Sequence, residues 1–181
     1  MVIHFICTGN VYRSRLAEAY LKSKKIPGIS VISSGIRAQE DRYGYIAWYA
    51  QRLIEKKNLI DYSKPTWTQT TKDLYKSGDI TVFMTSKNFD RCVKFFGFVP
   101  VYYKIWDILD LDELGYFVES NSYEDEKEKL RITDKTYLKI KDKVDDLLYK
   151  IKTEKSYPKV TPICERKSQF SHFGKSQSSQ F

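Results

Sequence analysis

Val2-Ile3-His4-Phe5-Ile6-Cys7-Thr8-Gly9-Asn10-Val11-Tyr12-Arg13-Ser14 is the stretch that decides the fold. An apolar run leads into a turn and then into the amphipathic run Leu16 to Leu21, which reads as strand, tight turn and helix. Cys7 then ends the strand and faces the first turn of the helix. Backbone N–H groups there have no intrahelical partner and point into the turn, where they favour a thiolate and form an anion site. Arg13 can fold over the same cradle, and its planar fork matches two oxygens of a tetrahedral oxyanion. Gly9 and Asn10 tolerate left-handed backbone, which an amide nest needs. Ser14 adds a hydroxyl within reach of the thiol. No Gly-Lys-Ser/Thr ending follows, so a nucleotide P-loop is excluded. The pattern suits thiolate attack on phosphate: Cys7 as nucleophile, Arg13 as clamp, and Thr8, Gly9, Asn10, Val11, Tyr12 and Ser14 as the binding loop.

Working outward, apolar β-rich runs recur at 29–33, 80–84 and 99–106, with helical patterns between them. Residues 14–24 and 45–57 each carry one apolar face. The clearest helix is 134–152, with Tyr137, Ile140, Val144, Leu147, Leu148 and Ile151 at spacings of three and four. Residues 63–78 read as loop and short helix, and 112–128 as a loop. Strands alternating with helices predict a small doubly wound α/β fold, a parallel sheet covered on both faces. Ligands bind at the carboxyl ends of such strands, where Cys7 lies.

Cys-Thr-Gly-Asn-Val-Tyr-Arg-Ser followed by Leu16-Ala17-Glu18 resembles the signature and opening helix of the low-molecular-weight protein tyrosine phosphatase family. Ser33-Ser34-Gly35-Ile36, Asp79 to Thr85 and Trp106-Asp107-Ile108-Leu109-Asp110 are similar to later family segments, so the likeness spans residues 1 to about 152. The resemblance implies a four-stranded sheet in the order 2-1-3-4 and a phosphotyrosine protein as substrate. It also implies a loop-holding role for Asn10 and a general acid at Asp110. The residues alone leave Asp107, Asp110 and Asp112 open for that acid. Leu111 stands where the family has proline, Tyr12 where many members have a second cysteine, and Arg15 where many have proline. The family's Arg-Gln pair before the third strand appears only as Thr68-Gln69.

Phosphate-ester cleavage then needs no metal or other cofactor, because the nest and Arg13 neutralise the transferring group. Val11 and Tyr12 would rim the pocket, with Tyr43 and Trp48 as further aromatic candidates. Three cysteines at 7, 92 and 164 and two histidines at 4 and 172 fit free thiols in a reducing cytoplasm and no zinc site. No apolar run is long enough to cross a membrane, and no secretory signal is expected. The net charge is +8, and residues 155–181 carry five Lys/Arg against Glu165 alone. No basic helix with interleaved aromatics is present, so nucleic-acid binding is not expected. Residues 1–152 read as the domain and 153–181 as a flexible, basic, serine-rich tail.

Three rival functions share the pattern. A thioredoxin-coupled arsenate reductase needs two relay cysteines; Cys92 fits one position, and Thr85 occupies the other. A protein-arginine phosphatase carries threonine at the position of Val11. A non-enzymatic phosphoprotein-binding module would need a disabled acid loop.

Overall fold

The computed structural model describes residues 1–40, 44–116, 122–154 and 157–158. Four strands, β1 (Val2–Cys7), β2 (Ser30–Gly35), β3 (Ile80–Phe83) and β4 (Tyr103–Ile105), pair in parallel in the order β2-β1-β3-β4. This is the expected doubly wound sheet. Among the described residues, five α-helices accompany it: α1 (Arg13–Ser23), α2 (Trp48–Lys56), α3 (Lys72–Lys76), α4 (Ser86–Phe96) and α5 (Tyr123–Thr153).

Alternation along β1 explains the two cores. Ile3, Phe5 and Cys7 face the larger one, which also contains Leu16, Leu53, Ile140 and Val144. Ile6 faces a smaller one with Ile36, Tyr75, Phe83 and Cys92. β1 is central, and its neighbours are reached by crossovers in opposite directions, so a crevice opens at its carboxyl end.

The structure departs from the sequence reading at three places. β4 is shorter than the run 99–106: pairing begins at Tyr103, after Pro100, which has no N–H, and the exposed Val101. α5 begins eleven residues earlier than residue 134, inside a segment read as loop. Ser122 caps it by accepting from the Asp125 N–H, and Glu124, Asp125 and Glu126 complement the positive end of the helix dipole. The packed chain also extends past residue 152: α5 runs to Thr153, and Tyr157 is buried in the main core with Lys104 Nζ 5.3 Å from its ring centroid. Residues 155–156 and 159–181, the rest of the expected tail, lie outside the described residues. Among the described residues, no helix is long and apolar enough to cross a membrane.

Candidate active site

The loop from Cys7 to Arg13 joins β1 to α1. Tyr12 occupies the N-cap position without a side-chain cap, and the first turn of α1 holds no acidic residue. The helix start therefore has no anion of its own. Asn10 takes the left-handed conformation at φ 57°, while Gly9 is not among the positive-φ residues. The N–H of Asn10 donates to Cys7 Sγ at 3.2 Å, and the Ser14 hydroxyl lies 2.9 Å from the same sulfur. Asn10 Nδ2 donates to Ser14 Oγ and Ser33 Oγ, both at 2.8 Å, and Asn10 Oδ1 accepts from the Thr68 N–H at 2.8 Å. All of Asn10 is buried. Gly35 ends β2 directly against the loop: a Cβ there would sit 2.6 Å from the Gly9 carbonyl carbon and 2.7 Å from Asn10 N and Thr8 O. The Thr8 hydroxyl accepts from Asn88 Nδ2 of α4 at 3.2 Å.

Arg13 is 1% exposed and reaches across to the loop after β4. Nη1 donates to the Ile108 carbonyl at 2.8 Å and to Glu113 Oε2 at 3.4 Å, and Nη2 pairs with Asp110 Oδ2. Asp110 Oδ1 accepts from the Leu111 N–H at 2.9 Å, and the Asp110 N–H donates to Glu113 Oε2 at 2.9 Å. Burial works against the charge on Glu113, but that N–H, Arg13 and Lys87 hold its carboxyl below the usual carboxylate range. The nearby carboxylates raise the proton affinity of the Arg13 guanidinium despite its burial. Arg13 thus rests on the loop that follows β4.

A small cavity of about 70 Å³ opens beside the sulfur, lined by Cys7, Thr8, Gly9, Val11, Tyr12, Tyr49, Asp110 and Asp112. Of the three acid candidates, Asp110 and Asp112 border it; Asp107 is exposed and does not. Burial, then the charge of Asp110, pushes the Asp112 carboxyl up. Val11 and Tyr12 line the wall as expected. Trp48 is 47% exposed and packs edge-on against Tyr49, which takes the wall position instead. Tyr43 lies outside the described residues. Tyr49 also meets Tyr12 edge-to-face at 4.9 Å.

Ser33, Thr68, Gly35, Tyr49 and Glu113 enter the site without having been singled out as site residues by the sequence. Ser33 and Gly35 sit in a quoted motif, but their contacts with the loop arise only when β2 pairs with β1. Thr68 reaches Asn10 through its backbone N–H, which any residue but proline supplies. Glu113 is one acid in an acidic loop, and nothing in the local pattern sets it apart. Among the described residues, no cluster of three or more His, Cys, Asp or Glu could hold a metal ion.

Residues 2–157 match the family described as low molecular weight phosphotyrosine protein phosphatase. The chain is 37% identical over 57 residues to a protein-arginine-phosphatase of Geobacillus stearothermophilus, covering 32% of this chain and 37% of that protein. It is 34% identical over 93 residues to an arsenate reductase of Oceanobacillus iheyensis, covering 50% of this chain and 61% of that protein. These alignments span less than two thirds of either relative. The solution structure of a low molecular weight protein tyrosine phosphatase from Bacillus subtilis superposes with a TM-score of 0.64 at 22% identity, covering 85% of this chain and 99% of that one.

Proposed function

The chain belongs to the low molecular weight phosphotyrosine protein phosphatase family, and from that premise we propose that it is a cysteine-dependent phosphatase acting on phosphotyrosine in proteins. The observation that carries this reading is the convergence on one sulfur. Cys7 Sγ receives an N–H from Asn10 and lies against the Ser14 hydroxyl, one cavity wall away from the Arg13–Asp110 pair.

The chemistry follows from that arrangement. The Cys7 thiolate attacks phosphorus as the P–O bond to the aryl oxygen breaks. Asp110 gives that oxygen a proton. The S–P bond of the phosphocysteine then breaks as water attacks phosphorus and yields its proton to Asp110, releasing phosphate and the thiolate. The loop amides and Arg13 neutralise the equatorial oxygens. A phosphate dianion that takes over the Arg13 fork also releases the Asp110 carboxyl from its ion pair, freeing it to face the leaving oxygen.

Tyr12 and Tyr49 offer aromatic walls to a flat ring, and Val11 adds apolar lining where, as the resemblance suggests, the arginine-type pocket has threonine. The arsenate-reductase relay finds no support in the residues. Thr85 caps α4, and Cys92 is buried in the smaller core with its thiol pushed up to about 12 by burial. The substrate on this reading is a cytoplasmic phosphoprotein, and no nucleic acid or cofactor takes part. Turnover of a phosphotyrosine peptide, free phosphoarginine and arsenate by the purified protein tests the assignment. The phosphotyrosine peptide should be preferred. Cys7→Ser should abolish its turnover with the fold intact, and Arg13→Lys should lose most of it, since one ammonium cannot clamp two oxygens. A preference for phosphoarginine or arsenate, or an active Cys7→Ser protein, would overturn it.

A further inference from the structure

Arg15, Glu18 and Lys64 line no part of the catalytic cavity, yet all three bond to segments that hold the loop forming it. Arg15 and Glu18 are each 1% exposed, and the Lys64 side chain is 26% exposed. Lys64 Nζ lies 3.3 Å from Glu18 Oε1, and Glu18 Oε2 accepts from the Ser33 hydroxyl. Two lysines thus share one buried carboxylate, Lys64 and, at 2.7 Å, the more exposed Lys22, while Arg15 lies within the field of its charge. Taking such charges out of water is unfavourable unless close pairing and hydrogen bonds satisfy them. Burial weakens the proton affinity of both Arg15 and Lys64, and Glu18 opposes it.

What these cations hold is the segment 63–68. Arg15 donates to the carbonyls of Thr66 and Lys64 and to Ser63 Oγ. Lys64 Nζ donates to the Ser33 carbonyl at 3.1 Å and to Thr68 Oγ1 at 3.3 Å. Together with Ser14 of α1, Ser33 and Thr68 grip the Asn10 side chain. The chain of contacts therefore runs from the buried charges, through two fixed points, to the residue whose left-handed backbone aims an N–H at the nucleophile.

Resting on the phosphatase reading, we propose that Arg15 and Lys64, the latter paired with Glu18, are positioning residues that lock Asn10 in place and favour the anionic form of the Cys7 site. They act through Asn10 and touch no substrate. Their net positive charge lies behind a loop that must hold a thiolate and then a phosphate dianion.

The test is alkylation of Cys7 by iodoacetamide in the full chain, followed across pH by mass analysis of the Cys7 peptide, with kcat and KM on an aryl phosphate measured alongside. Lys64→Met and Arg15→Met should move the alkylation midpoint and the acidic limb of kcat/KM to higher pH. They should also lower kcat/KM by up to roughly 10²-fold, the scale of a small misplacement at a reacting centre. Lys64→Arg should restore the wild-type profile in large part. Should Lys64→Met fail to fold because Glu18 is left unpaired, Lys64→Met/Glu18→Gln removes that charge and carries the same test. A folded variant with a wild-type alkylation profile and wild-type kcat/KM would overturn the proposal. A wild-type chain whose alkylation responds as stated, but which cleaves no phosphate ester, would refute the phosphatase reading and leave the positioning role standing.

Discussion

Leu111 occupies the position where the family pattern has proline, and its backbone does what a proline cannot. Its N–H donates to Asp110 Oδ1 at 2.9 Å, and its side chain is 1% exposed in the main core. The acid loop is thus anchored at Leu111 by burial and a hydrogen bond in place of ring stiffness. Asp110 keeps a cavity-facing position, whereas Asp107, at φ 54°, spends its side chain on solvent. Asp110→Asn should therefore slow turnover of a phosphotyrosine peptide by roughly 10²–10⁴-fold. The loss should shrink on esters of strongly acidic phenols, whose leaving groups need no proton. Asp107→Asn should have a small effect, since asparagine tolerates the same backbone. A larger loss in Asp112→Asn than in Asp110→Asn, measured as kcat on the same peptide, would move the acid to the other carboxylate on the cavity.

At the scale of elements, the site depends on how closely β2 can end against the β1–α1 loop. Gly35 pairs with Cys7, and its N–H and carbonyl engage Thr68 and Thr70 at 2.9 and 2.8 Å. Those bonds bring the 63–68 segment to Asn10. A methyl group at Gly35 meets three backbone atoms of the loop at 2.6–2.7 Å, and backbone cannot rotate away as a side chain can. Gly35→Ala should cost about 1–3 kcal/mol of stability in urea unfolding. It should also lower kcat/KM more than tenfold, because the Asn10 N–H is displaced from the sulfur. Full activity in a folded Gly35→Ala protein would show that the loop has slack. The beginning of α5 was hidden from periodicity because its first turns carry charge on most faces. The capping serine and the acids after it were the legible signal there.

For the whole molecule, His4 links the sheet to pH. It is fully buried on β1 with Nε2 2.7 Å from Ser34 Oγ. Burial first, and then the charge of Lys64, lowers its pKa to about 3. The unfolded chain takes up that proton near pH 6.5, and the folded chain does so only near 3. Between those values the unfolded state binds more protons, so this contribution to stability is complete above pH 6.5 and declines as pH falls. The slope is at most about 1.4 kcal/mol per pH unit for one proton. Urea midpoints of the wild type and His4→Gln between pH 7 and 4 check it, and the variant should lose less stability on acidification. Equal slopes would mean that His4 is protonated in the fold without penalty.

The strand-turn-helix that carries Cys7 and Arg13, and the parallel sheet alternating with helices, were legible in the sequence, and the family resemblance implied the strand order. They rest on local rules: side-chain period, turn chemistry and the spacing of Cys7 and Arg13 within one loop. The grip on Asn10, the acid loop reaching Arg13, the wall role of Tyr49 and the buried charges at Arg15, Glu18 and Lys64 were decided by tertiary structure. Each joins residues from separate elements, such as the hydrogen bonds from Arg13 to Ile108 and from Thr68 to Asn10. Many of those bonds end on backbone groups, which every residue carries and no sequence pattern marks.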